Sequence, residues 1–167
     1  KNRLGVQPLM DAVVEYLPSP TDCQNYTARR VKDNEPVPIQ PDESEPFCGL
    51  LFKVVANTSA DLLYLRTYSG VLKAGAKLTN SRTKETVNAK QLLRLFAKST
   101  QAIEQVGPGD IVGIIGPRNC STGDTLCDAR HLVSFESIAF PEPVISMAVE
   151  PRSSRDKDRL MQSLSLL

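Results

Sequence analysis

Tryptophan is absent from the 167 residues, histidine occurs once (His131), and aromatic residues make up only 5%. So sparse a set disfavours a broad stacking surface for single-stranded nucleic acid. A single histidine argues against Ser/His/Asp and Cys/His/Asn triads. No nucleophile or ligand set clusters in sequence with His131, which reads as an ordinary surface or loop residue. Neither sign of charge is in excess: 20 Lys and Arg face 19 Asp and Glu, for a net charge of +1. Nucleic-acid binders usually carry a strongly basic balance, so any such contact here has to come from a local patch. No apolar run is long enough to span a bilayer, and no secretory signal pattern is read. The expectation is a protein without membrane contact.

Other chemistry is missing as well. Of the four cysteines (Cys23, Cys48, Cys120, Cys127), only Cys120 and Cys127 lie close in sequence, and their spacing is not the C-x-x-C of zinc or redox sites. Reduced thiols in a cytoplasmic protein are the plain reading, with pairing left open by the sequence. A phosphate-binding P-loop needs G-x-x-x-x-G-K-[ST], and the nearest stretch, Gly70 to Lys77, has the wrong spacing and the wrong final residues. Asp42 and Glu43 are adjacent acids in a proline-rich segment, without a pocket in which to work as acid and base. The chain is therefore expected to hold no catalytic residue, no cofactor site and no metal site.

The residues that are present describe a soluble, strand-rich body. Hydrophobic residues make up 41% and charged residues 23%, with 12 prolines and nine glycines to supply turns. Val6, Leu9, Val13 and Leu17 form a helical stripe, with Pro8 in its first turn and Pro18 just past its end. The stretch 21–46 is dense in proline, lacks periodicity and reads as an extended linker. From Phe47 onward short apolar runs alternate with glycine turns: Phe47–Val55, Leu62–Tyr68, Thr86–Phe96, Ile103–Val106, Ile111–Ile115 and Thr125–Cys127. Strands at this density, with no long helical pattern between them, predict a mainly β fold built on a small closed β-barrel over 47–139. Beyond it, Val144–Val149 reads as a strand. Ser153-x-x-Asp156 resembles a capping box ahead of a stripe at Leu160, Met161, Leu164 and Leu167. Both end pieces, 1–20 and 140–167, look too small to bury their own apolar faces and read as parts of flanking domains cut away.

Four segments, in this order, resemble the elongation factor G family of translational GTPases. Gly5–Pro20 is similar to the last helix of its GTPase domain and the exit from it. Arg66-Thr67-Tyr68-Ser69-Gly70-Val71-Leu72 looks like a strand and turn of its second domain, a barrel. Ser121-Thr122-Gly123-Asp124-Thr125-Leu126-Cys127-Asp128 looks like the loop closing that barrel, and Phe140–Ser146 like the entry to the third domain. The resemblance implies a piece of a ribosome-dependent GTPase whose GTP and magnesium belong to a domain outside the chain. Its partners would be small-subunit ribosomal RNA and, within the same protein, the GTPase domain and the third domain. On that reading Arg66, Ser69, Gly70, Lys73 and Lys77 are the candidates for contacting ribosomal RNA, as phosphate docking needs cations and amides on exposed turns. Arg118, Thr122, Gly123 and Asp124 are the candidates for meeting the GTPase domain. Arg82, Lys84, Lys90, Arg94 and Lys98 form a second basic series whose plain reading is a solvated strand face.

The chain departs from the family pattern in two places. Asn57–Asp61 is one residue shorter than the family's turn and lacks its aromatic and glycine, and Phe96 stands where the family has a histidine. These departures leave open a recycling or ribosome-protection relative instead of the translocase. A free-standing barrel that binds a protein or a small ligand is the alternative from another class.

Overall fold

A computed structural model describes residues 4–23, 26–55, 60–97, 99–117, 119–136, 143–151 and 153–164. The run from Cys48 to Val55 forms strand β3, and Leu62–Ser69 forms β4 beside it, antiparallel. Strict alternation along β4 turns Leu63, Leu65, Thr67 and Ser69 inward and leaves Leu62, Tyr64, Arg66 and Tyr68 half-covered outside. The register shifts between Leu51 and Lys53, so that Phe52 stands extra in β3. Such a bulge bends the strand and re-aims its side chains. Phe52 meets the Tyr64 ring edge-on, and Lys53 lies over that ring.

The remaining strands follow in short steps: β5 (Leu72–Lys73), β6 (Ala76–Asn80), β7 (Thr86–Ala89), β8 (Gln91–Phe96), β9 (Ser99–Ile103), β10 (Gln105–Val106), β11 (Ile111–Ile115) and β12 (Thr125–Cys127). Six of these join β3 and β4 in one eight-stranded sheet in the order β7-β6-β12-β3-β4-β11-β8-β9, while β10 pairs with β5. The two halves of that sheet are tied by the chain itself. β7 ends at Ala89 and β8 begins at Gln91, although they lie six places apart in the sheet. A one-residue connection between such distant strands obliges the sheet to curl on itself, which is the expected barrel. Inside it sit Leu51, Leu63, Leu65, Leu72, Leu92, Val112, Ile114 and Leu126, all at most 1% exposed. Each fully buried side chain of this size is worth roughly 1.5–3 kcal/mol of transfer free energy.

The stretch 21–46, expected as an extended linker, instead holds a hairpin. Tyr26–Arg30 is β1, Pro36–Ile39 is β2, and with Val133–Ser134 (β13) they form a second sheet in the order β13-β1-β2. Pro36 and Pro38 hid this strand from the sequence, since proline cannot donate to a ladder. They are tolerated because β2 lies at the edge, with β1 as its one neighbour among the described residues. A separate small core of Ala28, Ile39, Cys48, Cys127 and Val133 joins this sheet to the barrel, with Tyr26, Tyr68 and Phe135 packed against it.

Three other expectations are corrected in detail. Thr86–Phe96 is two strands, broken at Lys90, and Ile103–Val106 is the end of β9 followed by β10. Val144–Val149 is not a strand among the described residues; Val144, Ile145 and Met147 are 96, 74 and 84% exposed. An extended segment becomes a strand only with a ladder partner, and none is described beside it. The first helix, α1 (Val6–Tyr16), forms as its stripe predicts and ends where the Leu17 amide bonds back to Val13, but no α1 residue is buried. The last helix, α2 (Lys157–Leu164), follows a 3-10 turn, Ser154–Asp156, where the Ser153 hydroxyl binds the Asp156 carboxylate at 2.7 Å. Ser153 caps no backbone amide with its side chain, and the two side chains bond each other instead, so the expected capping box is not made among the described residues. Asn57, Thr58, Ser59, Lys98, Arg118 and the 140–142 stretch lie outside the described residues.

Candidate functional site

The five residues expected to meet RNA are divided by the fold. Arg66 and Ser69 sit on one strand but point to opposite faces, as an odd separation in a strand requires. Ser69 is 3% exposed; its hydroxyl donates to the Pro46 carbonyl at 2.7 Å and lies 3.3 Å from the Cys48 sulfur. Gly70 is buried beside it with φ of +68°, and its amide donates to the Asp42 carbonyl at 2.9 Å. A Cβ there would come within 2.6 Å of the Glu45 oxygen and the Phe47 backbone, so only glycine fits. The strap 42–47 therefore covers this turn. Its carboxylates Glu43 and Glu45, together with Asp128 and Arg130 from the segment after Cys127, line a hollow of ≈ 450 Å³ next to Val71. Negative charge at that spot opposes a phosphate backbone.

Arg66 is half-buried on the outer face. Its Nη2 reaches the Tyr26 hydroxyl at 3.4 Å, its guanidinium lies 5.4 Å over the Tyr68 ring, and its buried Nε has no hydrogen-bond partner among the described residues. It braces the second sheet against the barrel. Burial also pushes the Tyr68 hydroxyl above its ordinary value, against the pull of Arg66.

Lys73 and Lys77 stand differently. Lys73 lies on β5 opposite Gln105, and Lys77 on β6 opposite Asn88. Both are exposed, at either end of the Ala74-Gly75 turn, and neither ammonium has an ion pair among the described residues. Amides hold that turn: Ala74 donates to the Glu104 carbonyl and Gly75 to the Ala89 carbonyl, at 2.8 and 2.7 Å. Asn88 across from Lys77 also lines a hollow of ≈ 500 Å³ with Lys90, Gly116 and Asn119. Within the second basic series Arg94 approaches Asp110 at 3.9 Å, and Arg82 is taken up elsewhere.

The loop expected to meet the GTPase domain is organised inward. Asp124 is 3% exposed, and its carboxylate accepts four bonds: Asn80 Nδ2 at 2.7 Å, Arg82 Nε at 2.6 Å, Arg82 Nη2 at 2.9 Å and the Ser121 amide at 2.9 Å. Burial alone would raise its pKa. The Arg82, Ser121 and Asn80 bonds together outweigh that and hold it below the ordinary carboxylate value. Gly123 donates to the Leu51 carbonyl and Leu51 to the Asp124 carbonyl, which fixes the loop on β3. Thr122 and Gly123 keep partial exposure, and Arg118 lies outside the described residues. Sequence reading missed Asn80, the buried amide that reads Asp124 and also caps the next turn by accepting from the Arg82 amide. An Asn at a strand end followed by Ser-Arg-Thr-Lys was the available signal.

Among the described residues no group of His, Cys, Asp and Glu is arranged to hold a metal ion, and no helix is long and apolar enough to cross a membrane. The described residues form a mainly β domain whose curled sheet carries exposed lysines and a braced acidic loop. The comparisons agree on its family. A solved crystal structure from Thermus thermophilus overlays 97% of this chain on 22% of its own, with a TM-score of 0.70 and 24% identity, a likeness of fold. The family model for elongation factor G domain 2 matches residues 46–129, half of the chain, and the chain belongs to that family. It is 45% identical to elongation factor G 2 of Geobacter metallireducens and 42% identical to elongation factor G of Thermotoga maritima, over its whole length. Elongation factor G of Aquifex pyrophilus is 42% identical over 99% of it. The chain spans 24% of the length of each of these relatives.

Proposed function

We propose that this domain docks a ribosome-dependent GTPase onto small-subunit ribosomal RNA and couples its nucleotide state to translocation in the cytoplasm. GTP and magnesium would be bound by a GTPase domain outside the chain, so the residues here carry no chemical step. The observation that carries the reading is the pair of exposed ammonium groups of Lys73 and Lys77, without an ion pair among the described residues, on a turn held by backbone hydrogen bonds, in a chain of this family. Cations held at both ends of a fixed turn can neutralise successive phosphates with little ordering cost, and backbone amides add donors. Arg66, which braces the second sheet, and Ser69 and Gly70, held under the strap 42–47, act on this reading as supports of the fold and not as phosphate contacts. Thr122 and Gly123 form the rim that meets the GTPase domain, with Asp124 as its internal brace, and the third domain follows from the C-terminal side.

The test is binding of the chain to isolated small ribosomal subunits across a salt series. Each phosphate contact contributes about 0.9 to the slope of log affinity against log salt. Lys73→Glu with Lys77→Glu should weaken binding at least tenfold and flatten the slope by about 2. Unchanged affinity and slope would remove these lysines from the interface.

A further inference from the structure

Cys48 and Cys127 are register partners in the β3–β12 ladder, and both are fully buried in the smaller core. The ladder's bonds fix what kind of pair they are. Asp128 donates to the Phe47 carbonyl at 3.0 Å, and Leu51 to the Asp124 carbonyl at 2.8 Å. The hydrogen-bonded positions are thus 47 with 128 and 51 with 124, and 48 with 127 falls on a non-hydrogen-bonded position. There the Cα atoms lie about 4.5 Å apart with side chains on one face, inside the separation of about 4.4–6.8 Å that a disulfide spans. Cys23 and Cys120, the other two cysteines, are half-buried, and all four are thiols here.

We propose that Cys48 and Cys127 are an oxidation site, closing to a cross-strand disulfide when the protein meets a peroxide. In the first step the thiolate of one cysteine attacks a peroxide oxygen, the O–O bond breaks, and a sulfenic acid forms with loss of hydroxide. The second thiol then attacks that sulfur, the S–S bond forms, and hydroxide leaves and takes up a proton as water. Overall, two thiols and one hydrogen peroxide give one disulfide and two waters. The position gives the bond a consequence. β12 is only three residues long, and among the described residues it is the strand whose ladders link β7-β6 to β3-β4-β11-β8-β9, which otherwise meet through the chain at Lys90. A disulfide at Cys48 and Cys127 staples the sheet at that narrow seam.

The folded state also sets the pace. Burial pushes the Cys48 thiol up to about 11 and the Cys127 thiol upward, so little thiolate is present at neutrality. Cys127 points its sulfur toward the Thr79 and Val133 carbonyls, at 3.6 and 3.7 Å, the latter on β13 of the covering sheet. Oxidation is therefore slow while that sheet is in place and faster when it lifts.

The full chain carrying Cys23→Ser and Cys120→Ser, checked for native circular dichroism, is treated with hydrogen peroxide and digested without reductant. If this variant unfolds, the wild-type chain is mapped in the same way. The expected product is a peptide pair linked through Cys48 and Cys127, and a melting temperature raised by roughly 5–10 °C that dithiothreitol reverses. Low urea should speed the reaction, and adding Cys48→Ser should abolish both the link and the rise. Recovery of Cys48 and Cys127 as thiols or sulfinic acids, or a link that leaves the melting temperature unmoved, overturns the proposal.

Discussion

The loop 121–124 and the turn 73–77 both carry charge on short connections, and they use it in opposite ways. Asp124 turns inward and has its lone pairs filled by Asn80, Arg82 and the Ser121 amide. Lys73 and Lys77 turn outward and have no ion pair among the described residues. A buried carboxylate is stable only when its hydrogen-bond capacity is met, so its charge is already committed to the fold. An exposed ammonium on a backbone-fixed turn contributes little to the fold and stays available to a partner. One loop is legible as architecture, the other as the surface proposed for recognition.

The comparison breaks first at Asp124. Asp124→Ala should cost about 3 kcal/mol in urea denaturation, because it orphans the buried Asn80 amide and the Ser121 N–H. A loss under about 1 kcal/mol would mean the carboxylate is no brace. The same carboxyl predicts a pH dependence. Its native pKa lies below the ordinary 3.8, so its contribution is complete above that value and is lost as the pH falls through the lower native one. The stability gap between the wild-type protein and Asp124→Asn should therefore narrow in that acid range, read from denaturation midpoints against pH. A gap independent of pH would contradict the hydrogen-bonded, ionised state.

Gly70→Ala comes next, at roughly 2 kcal/mol, since it combines a positive φ with backbone contact from the strap 42–47. Wild-type melting would show the strap to be loosely held. Arg82→Ala should cost about 1 kcal/mol, as its side chain is 55% exposed while its partner is not. The smallest effect belongs to Lys73→Glu with Lys77→Glu, within about 0.5 kcal/mol of wild type by calorimetry. Pairing that silence with a loss of ribosome binding sharpens the contrast; a large loss of stability would erase it.

Much of the barrel was readable because its signals are local. Phe47–Val55, Leu62–Tyr68, Ile111–Ile115 and Thr125–Cys127 are apolar runs bounded by turn residues, and each lies within one or two residues of its strand. The stripe from Val6 to Leu17 likewise gave α1. The hairpin β1–β2 escaped because Pro36 and Pro38 erase its pattern, and edge position, which makes them harmless, is a property of the assembled sheet. Val144–Val149 failed in the opposite direction, having strand composition without a described neighbour. The candidate site was legible as a set of residue types. Ser69 and Gly70 lie under a strap 23 or more residues away in sequence, which no spacing rule anticipates.

The sequence by itself settled the class of the molecule: a mainly β domain of the elongation factor G type. Composition, turn residues and motif order are properties of the chain, and short-range sterics act on them directly. Only the tertiary structure decided which charges are spoken for. Asn80 and Asp124 are 44 residues apart, and Cys48 and Cys127 meet only because β12 inserts between β3 and β6. Contacts of that kind depend on the order of strands in the curled sheet, and strand order is fixed by burying a common core rather than by any local preference.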